Sequence, residues 1–444
     1  MVQITLPLQK KGSAVHMFSQ PDWKTIKKKL YFQLNYSSLY VMWFLRWLVF
    51  GAITGIVCGL VGAAFLISIN WVTAARQAND WLILLLPFAG LLIVFTYHLA
   101  GLRQDPGTNL VLASIQSKQH IPIRMAPLIF FGTVITHLCG GSSGREGAAL
   151  QIGGSIGEAL GRLFRLKDTD INIIIICGMS AVFAALFGTP IAATVFSMEV
   201  ISVGVIHYSA FVPCIVSASI AYGIIQKCGI NSTTFPQIFT PELTVFLFIK
   251  VILLAMLCGI VSILFCIVIH KTGRIYRKLI ANDYWRIFIG GCLVVVLTML
   301  TGTRAYNGQG ADMLLLSMTS TCPTFAFLFK IIFTALTLGA GFKGGEIVPA
   351  LFVGATLGNV LAPLLGLDPA FGAAIGMIAL FCSVVNCPLA SVILSIELFG
   401  HASALLFCIA CAVSYVFSGY YGLYTSQKIM YDKLHPQYIN TRSH

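Results

Sequence analysis

A stretch near the middle of this chain returns near its end. Cys177–Glu199 (CGMSAVFAALFGTPIAATVFSME) aligns with Ile375–Glu397 (IGMIALFCSVVNCPLASVILSIE) at a constant offset of 198. Gly178/Gly376, Met179/Met377, Ala181/Ala379, Phe183/Phe381, Pro190/Pro388, Ala192/Ala390, Ser197/Ser395 and Glu199/Glu397 are identical pairs. A biased apolar composition produces some matches, but not readily a matched proline followed nine residues later by a matched glutamate. Upstream, Gly144-Arg145-Glu146-Gly147 stands 200 residues before Gly344-Gly345-Glu346-Ile347. Each precedes an apolar helix-length run, a turn and the matched segment. The chain is therefore two homologous halves, about residues 41–225 and 244–425, and its fold must be built twice.

Of the 444 residues, 57% are hydrophobic and 10% charged, where soluble domains carry ~25% charged residues. Mean hydropathy is +0.88. These values predict an all-α polytopic membrane protein. Apolar runs lie at about 42–74, 81–101, 126–139, 148–164, 171–200, 210–227, 244–270, 285–301, 325–340, 348–365, 371–399 and 403–417. Several fall short of the ~20 residues of a simple span, and others are broken by Gly or Pro. Broken, tilted helices are tolerated in a bilayer where their loose backbone is buried in protein or lines a cavity. Basic residues flank different ends of the two halves, which is compatible with inverted-topology repeats, the common build of secondary transporters.

The net charge of +13 points to anionic membrane lipid rather than nucleic acid, because the basic residues sit at segment ends and tails. Lys10, Lys11, Lys24, Lys27, Lys28 and Lys29 precede the first span; Arg162, Arg165 and Lys167 follow the fourth segment. Lys271, Arg274, Arg277, Lys278 and Arg286 fill a later connection, and Lys428, Lys433 and Arg442 lie near the end. The positive-inside rule puts these, and both termini, on the cytoplasmic side. Residues 1–40 read as a cytoplasmic segment with a basic amphipathic helix over 20–34. No signal-peptide pattern is visible. Residues 426–444 read as a short cytoplasmic tail with no appended regulatory domain. The 13 cysteines are scattered through apolar runs. Cys408 and Cys411 form C-x-x-C inside a spanning helix, where packing is expected rather than metal or redox chemistry. No cofactor or metal site is expected.

Three breaks carry the chemistry: Gly107-Thr108-Asn109-Leu110 after Pro106, Gly144–Gly147, and Gly344–Pro349. Thr108 or Asn109 would cap the helix that follows the first. Taken alone, each break also reads as a packing glycine or a loop. Taken together in a duplicated chain, they would present unpaired backbone N–H groups and positive helix ends to an anion. Such a site binds without a full charge, and conduction needs a site the ion can leave. Thr108 and Tyr424 could add hydroxyls. Arg145 and Glu146 are costly inside membrane-length sequence, and intramembrane ionisable residues are functional candidates by default. A carboxylate at Glu146 mimics an anion and competes for the same N–H groups. Protonated, it would swing out and admit the anion, coupling the two movements. Glu346 is either a second proton carrier or a carboxylate satisfied by a neighbour such as Lys343. Glu199 and Glu397 read as structural caps or buried hydrogen-bond partners, and His137 as a packed, hydrogen-bonded histidine. Arg145 falls to pairing or capping of nearby backbone.

Gly144-Arg145-Glu146-Gly147, followed by Gln151-Ile152-Gly153-Gly154, resembles the G-R/K-E-G-P signature of the CLC chloride channels and transporters. The likeness extends through Pro190…Glu199, Gly344–Pro349 and Tyr424. It implies a fold of two inverted-topology repeats and a homodimer with one pore per subunit. It makes Glu146 the external gating glutamate, Tyr424 the central anion-coordinating tyrosine, and the backbone around Gly147 and Ile347 the lining of the site. Thr108 takes the serine place of the usual G-S-G-I-P filter, Ile347 the phenylalanine place of G-x-F-x-P, and Val200 the place of the internal proton glutamate. These changes look like the fluoride/proton antiporter branch. So do the runs Arg124–Pro127, Thr133–His137 and Gly341–Glu346. In that branch the glutamate at the Glu346 place takes part in proton coupling. Val348 replaces a threonine that contacts the ion path, and Val111 and Ser114 stand where ion-facing phenylalanines occur.

The sequence therefore predicts a halide transporter, for chloride or fluoride, working by anion/proton antiport gated by Glu146. The anion-contacting set is Thr108, Asn109, Gly144, Arg145, Gly147, Ile347, Val348 and Tyr424, and Glu146 and Glu346 handle protons. The alternative is a passive channel of the same fold. An intramembrane enzyme is disfavoured because no metal-ligand pair, nucleophile motif or phosphate loop is present. The expected location is the plasma (inner) membrane of a bacterium.

Overall fold

The structure, a computed structural model, describes residues 23–102, 107–117, 119–230, 235–236, 238–239 and 241–444, with side chains from residue 38 onward. Pro106, Lys10 and Lys11 lie outside the described residues, and so do the side chains on which the amphipathic face over 20–34 would rest. The chain divides into two compact units, Met1–Trp47 and Leu48–His444. The second unit contains both matched segments and all three glycine breaks.

The first half supplies α1 (Trp23–Ala78), α2 (Leu86–Leu99), α3 (Thr108–Ser117), α4 (Met125–Leu138), α5 (Glu146–Leu163), α6 (Asp168–Phe187), α7 (Pro190–Glu199) and α8 (Phe211–Lys227). The second supplies α9 (Val245–Leu279), α10 (Asp283–Thr301), α11 (Ala311–Leu316), α12 (Ala326–Ala340), α13 (Ile347–Leu361), α14 (Pro369–Val385), α15 (Pro388–Phe399) and α16 (Ala404–Phe417). Among the described residues, six helical segments are long and apolar enough to cross a membrane, and six more apolar helices are shorter. Packing repeats as the sequence does. α5 packs on α6 as α13 packs on α14; α6 meets α7 and α8 as α14 meets α15 and α16.

The expected runs 171–200 and 371–399 each break into two helices at matched points. Gly188, with φ of 73°, ends α6, and Asn386, with φ of 56°, ends α14. A left-handed residue stops the helix, and Gly and Asn adopt that conformation at least cost. Pro190 and Pro388 then start α7 and α15 at the first helical position. There the missing N–H removes a donor that would have been orphaned anyway. The next two donors of each helix are capped from the other half. Glu199 accepts from the N–H groups of Leu389 (3.2 Å) and Ala390 (2.8 Å). Glu397 accepts from those of Ile191 (3.0 Å) and Ala192 (2.7 Å). The matched glutamates are thus reciprocal caps, each in the last turn of its own helix and opening its counterpart.

The core runs through α5, α6, α13 and α14. Those pairs cross so closely that only glycine fits. A Cβ on Gly153 would lie 2.1 Å from Gly178 O, and one on Gly358 would lie 2.0 Å from Gly372 O. One element departs from the all-helical expectation: a small sheet of β1 (Ser202–Val203), β2 (Lys428–Tyr431) and β3 (Tyr438–Arg442). β2 runs parallel to β1, with Ser202 opposite Lys428, and antiparallel to β3, with Lys428 opposite Arg442. Residues 426–444 are thus folded against the first half.

Gly153→Ala forces one backbone from another and is expected to remove several kcal/mol of stability, about 3 or more. Gly223→Ala in α8 has nothing within 4 Å of the new methyl and should be neutral or stabilising by about 0.5–1 kcal/mol. Unfolding temperatures of both variants in detergent check this contrast.

Candidate functional site

The starts of α5 and α13 are joined backbone to backbone. Gly144 N–H donates to Gly345 O (2.7 Å) and Gly345 N–H donates to Gly144 O (2.8 Å). A Cβ on Gly345 would lie 2.4 Å from Gly147 N, so no side chain can stand between the two helix ends. The ladder of α5 begins with Ala149 N–H to Arg145 O (3.0 Å), and that of α13 with Ala350 N–H to Glu346 O (3.0 Å). The N–H groups of Gly147, Ala148, Ile347 and Val348 precede those bonds and belong to no intrahelical pair; Pro349 has none to offer. Two positive helix ends therefore meet deep in the protein, as an anion requires.

Glu146 sits on this junction with no solvent exposure. Its Oε2 accepts from Arg145 N–H (3.0 Å), and Arg145 Nε donates to its Oε1 (3.3 Å). Arg145 also donates from its guanidinium to Leu186 O (3.2 Å), so it pairs and caps as expected. Two cavities approach the junction and share no lining residue. One, of about 1020 Å³, is lined by Thr108, Asn109, Gln151, Lys343, Glu346 and Tyr424 among others. The second, of about 580 Å³, reaches Arg145. Glu146 lines neither; its ion-pair partner Arg145 lines the second.

The predicted residues divide accordingly. Tyr424 Oη is buried without a hydrogen-bond partner, and its ring is 1% exposed. Glu346 reaches across from the second half: its Oε2 lies 3.5 Å from where a Cβ on Gly147 would be. Lys343 places its ammonium 4.0 Å from the Tyr97 ring centroid. Ile347 and Val348 are buried and line neither cavity. Gly107 does break the chain, with φ of 63°. Neither Thr108 nor Asn109 precedes α3 as a cap, because the helix begins at Thr108 itself. The Thr108 hydroxyl donates to Gly147 O (3.2 Å) and accepts from Gln151 Nε2 (3.3 Å). Asn109 Oδ1 accepts from Ser426 N–H (2.9 Å). Val111 and Ser114 are buried and line neither cavity; Ser114 donates to Val111 O (2.7 Å). His137 donates from Nδ1 to Thr133 O (2.9 Å), a packed residue as expected.

Sequence reasoning missed Gln151 as a site residue. It lies one turn beyond Gly147, 3% exposed, with its Oε1 unpartnered. The available signal was an amide inside an otherwise apolar helix face.

A duplicated helical bundle whose broken helices aim N-termini at one buried junction, plugged by a carboxylate, is an integral membrane ion-transport protein. The family model for the voltage-gated chloride channel matches residues 90–419. The chain is 37% identical over 397 residues to the chloride/fluoride channel protein of Pseudomonas syringae pv. tomato, covering 88% of each. It is 29% identical over 396 residues to the H(+)/Cl(-) exchange transporter ClcA of Vibrio cholerae, covering 78% of this chain and 80% of that protein. The crystal structure of a CLC-type fluoride/proton antiporter superposes with a TM-score of 0.83 at 33% identity, covering 86% of this chain and 98% of that one. The chain belongs to the voltage-gated chloride channel (CLC) family, and its fold is that family's pair of inverted-topology repeats with broken helices.

Tyr424 is held by its surroundings rather than by a helix. Leu423 N–H donates to Val384 O (2.8 Å), and His270 Nε2 donates to Leu423 O (3.1 Å). Gln427 donates to Val200 O and Val385 O, each at 2.9 Å. Lys433, from the tail, donates to Asn386 Oδ1 (2.6 Å), Tyr415 O (2.9 Å) and Ser418 Oγ (2.9 Å). Burial pushes the Lys433 ammonium down to about 7. In the unfolded chain it titrates near ~10.4. Between those values the unfolded state holds a proton the folded state lacks, so stability attributable to Lys433 rises with pH from about 7 towards 10. Lys433→Met should flatten that rise. The check is the difference in unfolding temperature between wild type and variant across this pH range.

Proposed function

We propose that the protein exchanges a halide, chloride or fluoride, for protons across the membrane, with Glu146 as the gate. The observation that carries this reading is the position of Glu146. It is fully buried, lies at the start of α5, and pairs with Arg145, which lines the smaller cavity. An ionised carboxylate there occupies the donors a halide would use. Taking up a proton weakens its hold on Arg145 and on the helix end, and the halide replaces it. Glu346, lining the larger cavity with Tyr424, takes the role of second proton carrier, which matters because Val200 occupies the usual place of an internal glutamate. The anion set is the N–H groups around Gly144, Gly147, Ile347 and Val348, with Tyr424 as hydroxyl donor, Thr108 and Asn109 shaping the path, and Arg145 beside the gate. Relatives described as a fluoride/proton antiporter and an H(+)/Cl(-) exchanger support exchange over a passive channel.

The working unit is a homodimer with one pore in each subunit. Exposed apolar residues Ile191, Phe211, Leu389, Leu405 and Phe417 on α7, α8, α15 and α16 support a face for the second copy. The location is a bacterial inner membrane, with both termini cytoplasmic and the basic ends against anionic lipid.

Proteoliposomes loaded with fluoride or chloride, with and without a pH gradient, test the reading. Exchange predicts halide efflux that drives protons uphill; a channel predicts halide flux with no proton movement. Glu146→Gln should retain halide flux and lose proton coupling entirely. Glu346→Gln should lower proton turnover more than halide turnover. Proton uptake surviving in Glu146→Gln would remove that residue from the gate.

A further inference from the structure

Gln151 lines the larger cavity with Thr108, Glu346 and Tyr424, and the exchange reading leaves it without a task. It lies on α5 and is 3% exposed. The two ends of its amide are used differently. Nε2 donates to the Thr108 hydroxyl (3.3 Å), whereas Oε1 is buried without a hydrogen-bond partner. A buried acceptor that never meets a donor has given up its hydration for nothing, so a donor is expected there in some state of the working protein. A halide is not that donor, because an anion and a carbonyl oxygen repel. The group that reaches Oε1 must carry a hydrogen.

Glu346 supplies one when it is protonated. Its Oε2 and Thr108 Oγ1 approach the same point of α5, 3.5 and 3.4 Å from where a Cβ on Gly147 would be. The carboxyl therefore lies beside the Thr108–Gln151 pair. As a carboxylate it only accepts; a bound proton adds one O–H that needs an acceptor. The neighbouring acceptors are mostly engaged. Gly147 O accepts from Thr108 (3.2 Å), and the Thr108 hydroxyl already accepts from Gln151. Asn109 Oδ1 accepts from Ser426 N–H (2.9 Å). Among the described side chains at this end of the cavity, two buried oxygens are open, Gln151 Oε1 and Tyr424 Oη. Tyr424 serves the anion in the exchange reading. Gln151 Oε1 is the acceptor with no other duty.

We propose that Gln151 is a positioning residue for the proton step: its carbonyl oxygen receives the O–H of protonated Glu346, directly or across one water, while its N–H stays on Thr108. The role rests on Glu346 being a proton carrier. The proton comes from water in the cavity and returns to it; one hydrogen bond forms, and no bond within Gln151 breaks. An acceptor stabilises the neutral carboxyl and does nothing for the carboxylate, so Gln151 tips Glu346 towards its protonated form without adding charge. Other groups bear on the same carboxyl. Tyr424 and Cys266, on α9, interact with it directly, and Glu146 lies across the Gly144–Gly345 bridge on α5. Arg277 on α9, Asp283 and Arg286 on α10, and Lys343 line the wider cavity. Lys330 on α12 is engaged by Tyr306 O and Gly308 O. None of these is altered by a change at Gln151, so their influence stays constant across the comparison.

The test titrates full-length protein in detergent by infrared difference spectroscopy, following the C=O band of a protonated carboxyl. The band lost in Glu346→Gln belongs to Glu346; no lost band overturns the proposal. Gln151→Met keeps the bulk and removes the acceptor, which disfavours protonation about three- to ten-fold, so the midpoint of that band should fall by about 0.5–1 pH unit. Gln151→Glu keeps the shape and places a second carboxyl beside the first, so the first proton should bind the pair at higher pH than in wild type. The opposite signs are the signature. Midpoints that stay put, or that move the same way in both variants, mark a packing role and overturn the proposal. Should Gln151→Met not fold, the alkaline shift in Gln151→Glu carries the test. Thr108→Val should leave the midpoint at its wild-type value; a fall matching that of Gln151→Met means Gln151 acts through Thr108 and overturns the proposal. In proteoliposomes, Gln151→Met should lower proton turnover, keep the half-saturating halide near wild type, and cause no further loss of proton turnover in a Glu346→Gln background. A further loss there counts against action through Glu346. Wild-type vesicles without proton coupling would sink the exchange reading and leave the infrared midpoints to decide the Gln151–Glu346 contact.

Discussion

Two hydrogen bonds between Gly144 and Gly345 hold the site together, and the rest of the molecule is arranged so that they can form. They are main-chain bonds between halves of the chain about 200 residues apart, at 2.7 and 2.8 Å. Both residues must lack side chains, because any Cβ there meets backbone or the Glu146 carboxylate. The bridge brings two helix N-termini together. Like helix ends repel, so this arrangement is stable only if something negative occupies the gap. Here that group is Glu146. The proposed gate and the proposed anion site are thus one electrostatic arrangement: the repulsion that makes an empty junction unfavourable favours any negative group there.

The same exchange between halves recurs away from the site. Glu199 caps α15 and Glu397 caps α7, so neither short helix has its first turn satisfied until both halves are in place. These caps use side chains where the central bridge uses backbone, and they serve a different end. A carboxylate fixed by two N–H donors and packed under a helix start is poorly placed to move. Glu146 also accepts backbone hydrogen bonds, but its partners are its own first turn and Arg145. Those contacts are local, and a rotation of one side chain breaks them without parting the repeats.

The duplicated framework was legible in the sequence because it is written in residue types with few other uses. A matched proline with a matched glutamate nine residues on leaves a pattern that apolar drift does not mimic. Glu146 and Glu346 were readable as candidates for a related reason: charged groups stand out against apolar runs. Thr108 shows the limit. Its place at a glycine break was readable, but the use of its hydroxyl depends on how closely α3 approaches α5, and Gly147 O and Gln151 take up that hydroxyl. The role of the tail was not legible either. Strands as short as β2 and β3 carry little hydrophobic pattern. They form because β1, in the first half, offers them an edge.

Arg76 and Arg304 were hidden by the rule that made the basic ends readable. Arginines near segment ends are ordinary, and counting them by position assigns them to lipid or topology. Their distinction is three-dimensional: they converge on one recess beside Arg145, reached from a helix of the first half and a loop of the second. The larger cavity is lined by Tyr424 and Glu346 together with Arg277, Arg286 and Lys343; the smaller is lined by Arg76, Arg145 and Arg304 together with Asp312. Charge of both signs therefore lines each cavity, a mixture that counting basic residues along the chain does not show.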